Sequence, residues 1–329
     1  MCLGDIRKRA INGNKHGGNR CTCQSTNLDS LDFNLDVPSE TSRGPTDSPK
    51  LRHYDGTHWR PMADSVSYPS GVAQAIRGTH SGDLWLVGNF RRRGGDAILQ
   101  VWSVCQRREP QGWSKGARLW PGSVYALAVR STNEAYAVGH GGLALRFDGQ
   151  LWNVELAAVP ESESFTLEDI AATSPSILEA PQLTGQDLRA VWQVSEGDVW
   201  AAGNNGVLLH RLDSKWTLVP SGTPKHLRGI WGSGNTDVWA VGNAGTILHY
   251  NGNAWTKVDS PVESNLTAIW GSAPNDIWAV GDSGTILHFR GSAWHSVEGG
   301  NRHHLTHIWG TSSDDVWAIG ADIVLHATP

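Results

Sequence analysis

Five histidines recur at one place in a repeating text: His53, His210, His249, His288 and His326. Imidazoles at regular spacing are what a metal centre or a proton relay would use. Arg91, Arg92 and Arg93 stand in a row, and three guanidinium forks could grip the carboxylates of an acidic ligand. His303 and His304 form an adjacent pair, and Cys21-Thr22-Cys23 brings two thiols together. Glu161, Glu163 and Asp169 are the carboxylates on which acid–base catalysis would have to draw. The chain carries no P-loop, Gly-rich dinucleotide motif, Ser-His-Asp order or metal motif. What these groups can do therefore depends on the elements that carry them.

Those elements repeat. Trp200, Trp239, Trp278 and Trp317 are 39 residues apart, each preceded at two positions by Asp198, Asp237, Asp276 or Asp315. Two more degenerate copies lie upstream, around Asp83 with Trp85 and Glu134 with Tyr136. In the copy around Trp239, β-branched and aromatic runs bounded by Gly, Asn, Asp and Ser predict four strands. They cover 227–232, 237–242, 246–250 and 254–258. Four short antiparallel strands per unit, six times over, is the signature of an all-β, six-bladed β-propeller, with seven blades as the alternative. The acidic and aromatic columns read as architecture, because six copies around a ring cannot all be one active site. Each carboxylate is expected to accept hydrogen bonds from N–H groups of the preceding turn. Gly follows the aromatic by three residues in all six copies (Gly88, Gly139, Gly203, Gly242, Gly281, Gly320), which suggests a backbone requirement.

This architecture reinterprets the histidines. They occupy strand three, with Arg146 and Gln100 at that position in the other two copies. Strand three is not the innermost strand, so no two of these rings can share an ion, and each is expected to bond within its own blade. No metal or other cofactor is implied. The loops joining strands one to two and three to four are nearly constant in length and share one face. On the other face the chain varies: 90–95 is inserted in the first blade, and about 25 residues around 161–186 separate the second from the third. Function on rigid scaffolds concentrates in irregular loops, so that face is the expected binding face. Its candidate ligand-binding residues are Arg91, Arg92, Arg93, Arg77, His303 and His304; no catalytic residue is assigned.

The ends of the chain bear on closure. Residues 51–56 and 58–61 match strands three and four, while 305–329 supplies strands one, two and a further strand three. A last blade shared between N- and C-terminal segments is the expected closure. Residues 1–50, basic at first and then rich in Ser, Thr, Asp and Pro, are expected to form a disordered tail, with the propeller spanning 51–329. Net charge is −5, too small to argue for nucleic acid, and no apolar run reaches transmembrane length. The 17 Trp against 5 Phe and 5 Tyr set this composition apart from an average domain. Four cysteines are too few for a disulfide scaffold. No signal peptide is visible, and Cys2 is where a lipid would attach on an exported lipoprotein.

The text Ile-Trp-Gly-x5-Val-Trp-Ala-Val-Gly-x3-Thr-Ile-Leu-His-Tyr-x-Gly-x2-Trp, read from Ile230 to Trp255, resembles the repeat of bacterial, especially myxobacterial, secreted or lipoprotein β-propellers. The turns at 55–59 and 251–255 are similar to a degenerate Asp-box of sialidase-like propellers, lacking its leading Ser and second spaced Gly. The resemblance implies fold and an extracellular or cell-envelope location, with no inherited active site. A monomeric, non-catalytic binding module for a glycan or a protein is the favoured function. A propeller glycosidase or lyase is one alternative. A scaffold for assembly of another complex, as a related family of photosystem assembly propellers implies, is the other.

Overall fold

The structure, a computed structural model, describes residues 7–9, 52–54, 59–61, 71–80, 83–94, 97–109, 112–113, 117–121, 123–156, 181–300, 302–320 and 323–327. They form six antiparallel sheets and one separate two-stranded hairpin. The protein is a six-bladed β-propeller.

The second to fifth blades follow the predicted plan. In the fourth, Leu227–Gly234, Asp237–Gly242, Ile247–Tyr250 and Trp255–Val258 pair in chain order. Strand one is the inner strand, since the first strands of consecutive blades pack side by side from the first blade to the sixth. Period-two alternation gives each blade two apolar faces, and neighbouring faces interlock into a separate core cluster at each seam. The fourth blade turns Ile230, Ala240 and Leu248 toward the third and Trp231, Trp239 and Val241 toward the fifth.

Trp192, Trp231, Trp270 and Trp309 sit on these inner strands. Each of the middle two lays its ring on a glycine of the next blade. A Cβ on Gly271 would stand 2.7 Å from the Trp231 ring, and one on Gly310 would stand 2.7 Å from that of Trp270. Trp309, the last of the series, is 41% exposed.

Two expectations need correction. In the first blade, 90–94 is strand: Asp83–Gly94 and Ala97–Glu109 pair as one long hairpin out to Gly94 and Ala97. Trp85 is therefore opposite Arg107, as Trp239 is opposite His249, so Arg107 and not Gln100 holds the strand-three position. Counted from Arg107, the distance to Trp113 falls into line with the other blades, and the whole insertion belongs to the strand two–three hairpin.

The second correction concerns closure. The sixth blade contains Leu305–Ser312, Asp315–Gly320 and Val324–Ala327, and the N-terminal segment paired to its outer edge is Arg7–Arg9. Arg52–Tyr54 and Trp59–Pro61 pair only with each other. The last blade does join N- and C-terminal segments, but through a different stretch than the repeat text suggests.

Candidate functional site

The acidic and histidine columns are bonded to each other in the third to sixth blades, and in the fourth and sixth the indole N–H joins the same carboxylate. In the fourth blade, Trp239 Nε1 donates to Asp237 Oδ1 at 2.8 Å, and His249 Nε2 lies 2.8 Å from the same oxygen. The Ser233 hydroxyl donates to the other carboxylate oxygen. The sixth blade repeats this with Trp317, His326 and Thr311 on Asp315. Each imidazole stacks on its own blade's indole, at 3.7 to 4.1 Å between centroids. His210, His249, His288 and His326 are thus each tied within their blade, as expected. The donors to these carboxylates are side chains, however, and not the backbone amides anticipated from the turns. Among the described residues, no three His, Cys, Asp or Glu are grouped to hold a metal.

Burial lowers the pKa of His288 even against the opposing pull of Asp276. In the sixth blade, hydrogen bonds from Thr311, His326 and Trp317 outweigh burial and bring Asp315 below its ordinary value. These are the signatures of ion–dipole scaffolding.

The glycine column has an equally local cause. A Cβ on Gly203, Gly242 or Gly281 would lie 2.0 Å from the carbonyl oxygen of Asp187, His226 or Asn265, just before strand one. Those carbonyls accept the amides of Asn204, Asn243 and Asp282. The strand two–three turn is thereby clamped to the start of its own inner strand.

The next blade clamps the same turn from outside. Gly141 N–H donates to Asp187 Oδ1, Asn205 N–H to His226 Nδ1, and Ala244 N–H to Asn265 Oδ1. His304 continues this column, accepting from Ser283 N–H at 3.4 Å and lying 3.2 Å from Asp282. The predicted ligand residue His304 therefore sits at an interblade cap, with its neighbour His303 exposed beside it. Asp187 is the hub of the same column where the long insertion ends. It binds Arg189 at 2.6 Å and His140 at 2.9 Å as well as Gly141.

Arg77 is placed elsewhere. It lies on the first inner strand, exposed, with Nη1 donating to the Ile76 carbonyl. Its charge reaches His307 of the sixth blade; crowding by protein, and then this charge, hold that imidazole at about 4. The structure does not bring Arg77 into the His303–His304 loop. For Arg91, Arg92 and Arg93 it describes the backbone alone, in register with Val101, Gln100 and Ile98 along the long hairpin. Glu161, Glu163, Asp169, Cys21 and Cys23 lie outside the described residues.

The sequence missed a ring. Every inner strand has a bulge near its start, and the extra residues are Gln74, Tyr125, Arg189, Arg228, Thr267 and Thr306. A bulge re-aims the side chain that it carries. All six fall at the end of strand one that adjoins the variable loops. Tyr125 and Arg189 meet there, with the guanidinium 4.1 Å above the phenol ring. Arg228 is exposed and reaches Asn243 Oδ1 at 2.5 Å. The only signal in sequence was positional: each stands two residues before the apolar column Ile76, Leu127, Val191, Ile230, Ile269 and Ile308.

No family model and no curated protein matches the sequence. Solved structures do match its fold. The structure described as YCF48 bound to D1 peptide superposes with a TM-score of 0.60 at 15% identity, over 86% of each chain. The fold is YCF48-like. YCF48 from Cyanidioschyzon merolae gives a TM-score of 0.52 at 18% identity, over 79% of this chain and 96% of that one. At such identities the likeness to YCF48 establishes the propeller fold.

Proposed function

We propose that this propeller is a non-catalytic binding module that takes a peptide segment of a partner protein on its variable face. The observation that carries this reading is the bulge ring. Each of the six inner strands carries one bulge residue at the end that adjoins the variable face, and three consecutive blades offer Tyr125, Arg189 and Arg228 there. Aromatic and Arg side chains are the types that anchor protein interfaces. The long hairpin bearing Arg91, Arg92 and Arg93 extends the strand two–three turn of the first blade on this face and would flank a bound chain. That a YCF48 structure holds a D1 peptide supports peptide capture as a use of the fold. A location at the cell envelope or exterior belongs to the same reading and rests on the resemblance of the repeat.

The test is selection of peptides on the purified chain, followed by affinity measurement on variants. Tyr125→Ala and Arg228→Ala should each weaken the selected peptides by about tenfold or more. Asn253→Ala, in a three–four turn on the opposite face, should leave them unchanged. Peptides held equally by the ring variants and the parent would refute the assignment.

A further inference from the structure

Three of the seams between blades share one recipe. In each, the strand-four Trp of one blade stands edge-on to the strand-two aromatic of the blade before it. Trp152 meets Trp85 at 6.0 Å and 86°, Trp255 meets Trp200 at 5.2 Å and 81°, and Trp294 meets Trp239 at 5.8 Å and 75°. A strand-three ring backs each indole, from Phe147, Tyr250 and Phe289 respectively.

The seam between the fifth and sixth blades has the walls of this arrangement, with no indole among the described residues in that place. A half-open apolar cavity lies there, lined by Trp278, Ile286, Val316, Leu325 and Ala327 among others. Trp278 occupies the strand-two position and is only half-buried, where Trp200 and Trp239 are 1% and 4% exposed. Ala327 stands where Tyr250 and Phe289 stand in other blades, opposite Val316 as they are opposite Val238 and Ile277. Arg7–Arg9, on the outer edge of this blade, brings no aromatic residue.

The missing piece exists elsewhere in the chain. In the separate hairpin Tyr54 is opposite Trp59, the register of Tyr250 with Trp255 and of Phe289 with Trp294. The hairpin is a strand three–four pair with no inner half, and the sixth blade is an inner half with no strand-four Trp.

We propose that Trp59 is the occupant of the cavity between the fifth and sixth blades, carried there by Trp59–Pro61 docking on the edge of Val324–Ala327 now held by Arg7–Arg9. Two segments of the chain thus compete for one edge. Trp59 contributes burial of a large ring, and its docking would release the basic segment Arg7-Lys8-Arg9 from the blade.

Thermal unfolding of the full chain tests this with a mutant cycle. Trp59→Ala should lower the midpoint by roughly 3 °C or more, with Trp59→Phe losing less. Ala327→Phe, which fills the cavity from strand three, should recover the loss in the Trp59→Ala chain and give no gain in the parent. Should Trp59→Ala fail to fold, the cycle is run with Trp59→Phe and Ala327→Leu. An unchanged midpoint for Trp59→Ala would overturn the proposal. So would a cavity-filling change that acts equally in both backgrounds, or that recovers nothing.

Discussion

The seam between the second and third blades and the seam between the fourth and fifth solve one packing problem with different chemistry. In the latter, Trp239, Phe289 and Trp294 fit as three rings, with Phe289 4.9 Å from Trp239. In the former, Arg211 replaces the strand-three ring and Tyr136 the strand-two indole. Arg211 is 3% exposed and grips Glu155 of the previous blade with Nε at 2.6 Å and Nη2 at 2.7 Å. Trp216 also donates to Glu155 at 2.7 Å, and the Arg211 guanidinium lies 5.3 Å from the Tyr136 ring centre. Glu134 closes the network by accepting from Tyr136 at 3.1 Å and from Gln193 at 2.6 Å. Burial alone would lower the pKa of Arg211; Glu155, with Tyr136 and Glu134, raises it above its ordinary value. Burial, with its acidic neighbours, pushes the Tyr136 phenol up.

The contrast teaches that the blade repeat specifies a shape at each seam and leaves its polarity open. A buried bidentate pair holds two blades together only while both partners remain, whereas the aromatic seam depends on volume. The polar seam lies next to the longest insertion, so the blades bordering it are linked by directional bonds where the connecting segment departs most from the repeat.

The largest expected effect comes from breaking the polar seam on one side. Arg211→Ala should cost about 3–5 kcal/mol in chemical denaturation, because it leaves Glu155 without its counter-charge. Changing both partners, as Arg211→Phe with Glu155→Leu, should bring stability back to within about 1 kcal/mol of the parent, by importing the aromatic solution. A double variant no better than the single one would mean that the network is required for more than its charges. On the other seam, Trp294→Ala should cost about 3–5 kcal/mol by cavity creation, and its cost should be insensitive to pH near neutrality. Gly271→Ala is the next step down, at about 1–3 kcal/mol, since its methyl would press on the Trp231 ring of the adjoining blade.

The smallest effect is a pH dependence to which His288 contributes. The pKa of His288 is lower in the folded chain than its unfolded value of 6.5. Below that value the unfolded chain takes up a proton that the folded chain resists, so stability should decline as pH falls through and below about 6.5. Urea unfolding at pH 7.5 and 5.5 should show a lower midpoint in acid, and His288→Gln should reduce the difference. An unaltered difference would assign the dependence to other groups.

Much of this was legible in the sequence where chemistry repeats in identical words. Asp237, Trp239 and His249 recur with fixed spacing because the carboxylate–imidazole bond and the imidazole–indole stack repeat from the third blade to the sixth, and the text reveals both the strands and their pairing. The first blade was misaligned at Gln100 because its hairpin keeps both strands paired well beyond the usual turn point, so Gln100 lies near the tip and Arg107 takes the place opposite Trp85. The bulge ring escaped because a bulge constrains the backbone and leaves the side chain free. Gln74, Tyr125, Arg189, Arg228, Thr267 and Thr306 share a position and no chemical type. The polar seam was hidden for another reason. Glu155 and Arg211 are 56 residues apart, and each alone resembles a solvent-facing charge on an outer strand.

The caps from Asp187, His226, Asn265 and His304 all run in one direction, each blade gripping the turn of the blade before it. Such contacts are plug and socket, so any regular blade offers the next the same socket that it itself fills. A duplicated 39-residue unit spliced between the fourth and fifth blades would meet matching surfaces on both sides. The same unit spliced between the second and third would strand Glu155 against a blade with no arginine to receive it. Growth of the ring by gene duplication is therefore open on one side of this molecule and closed on the other.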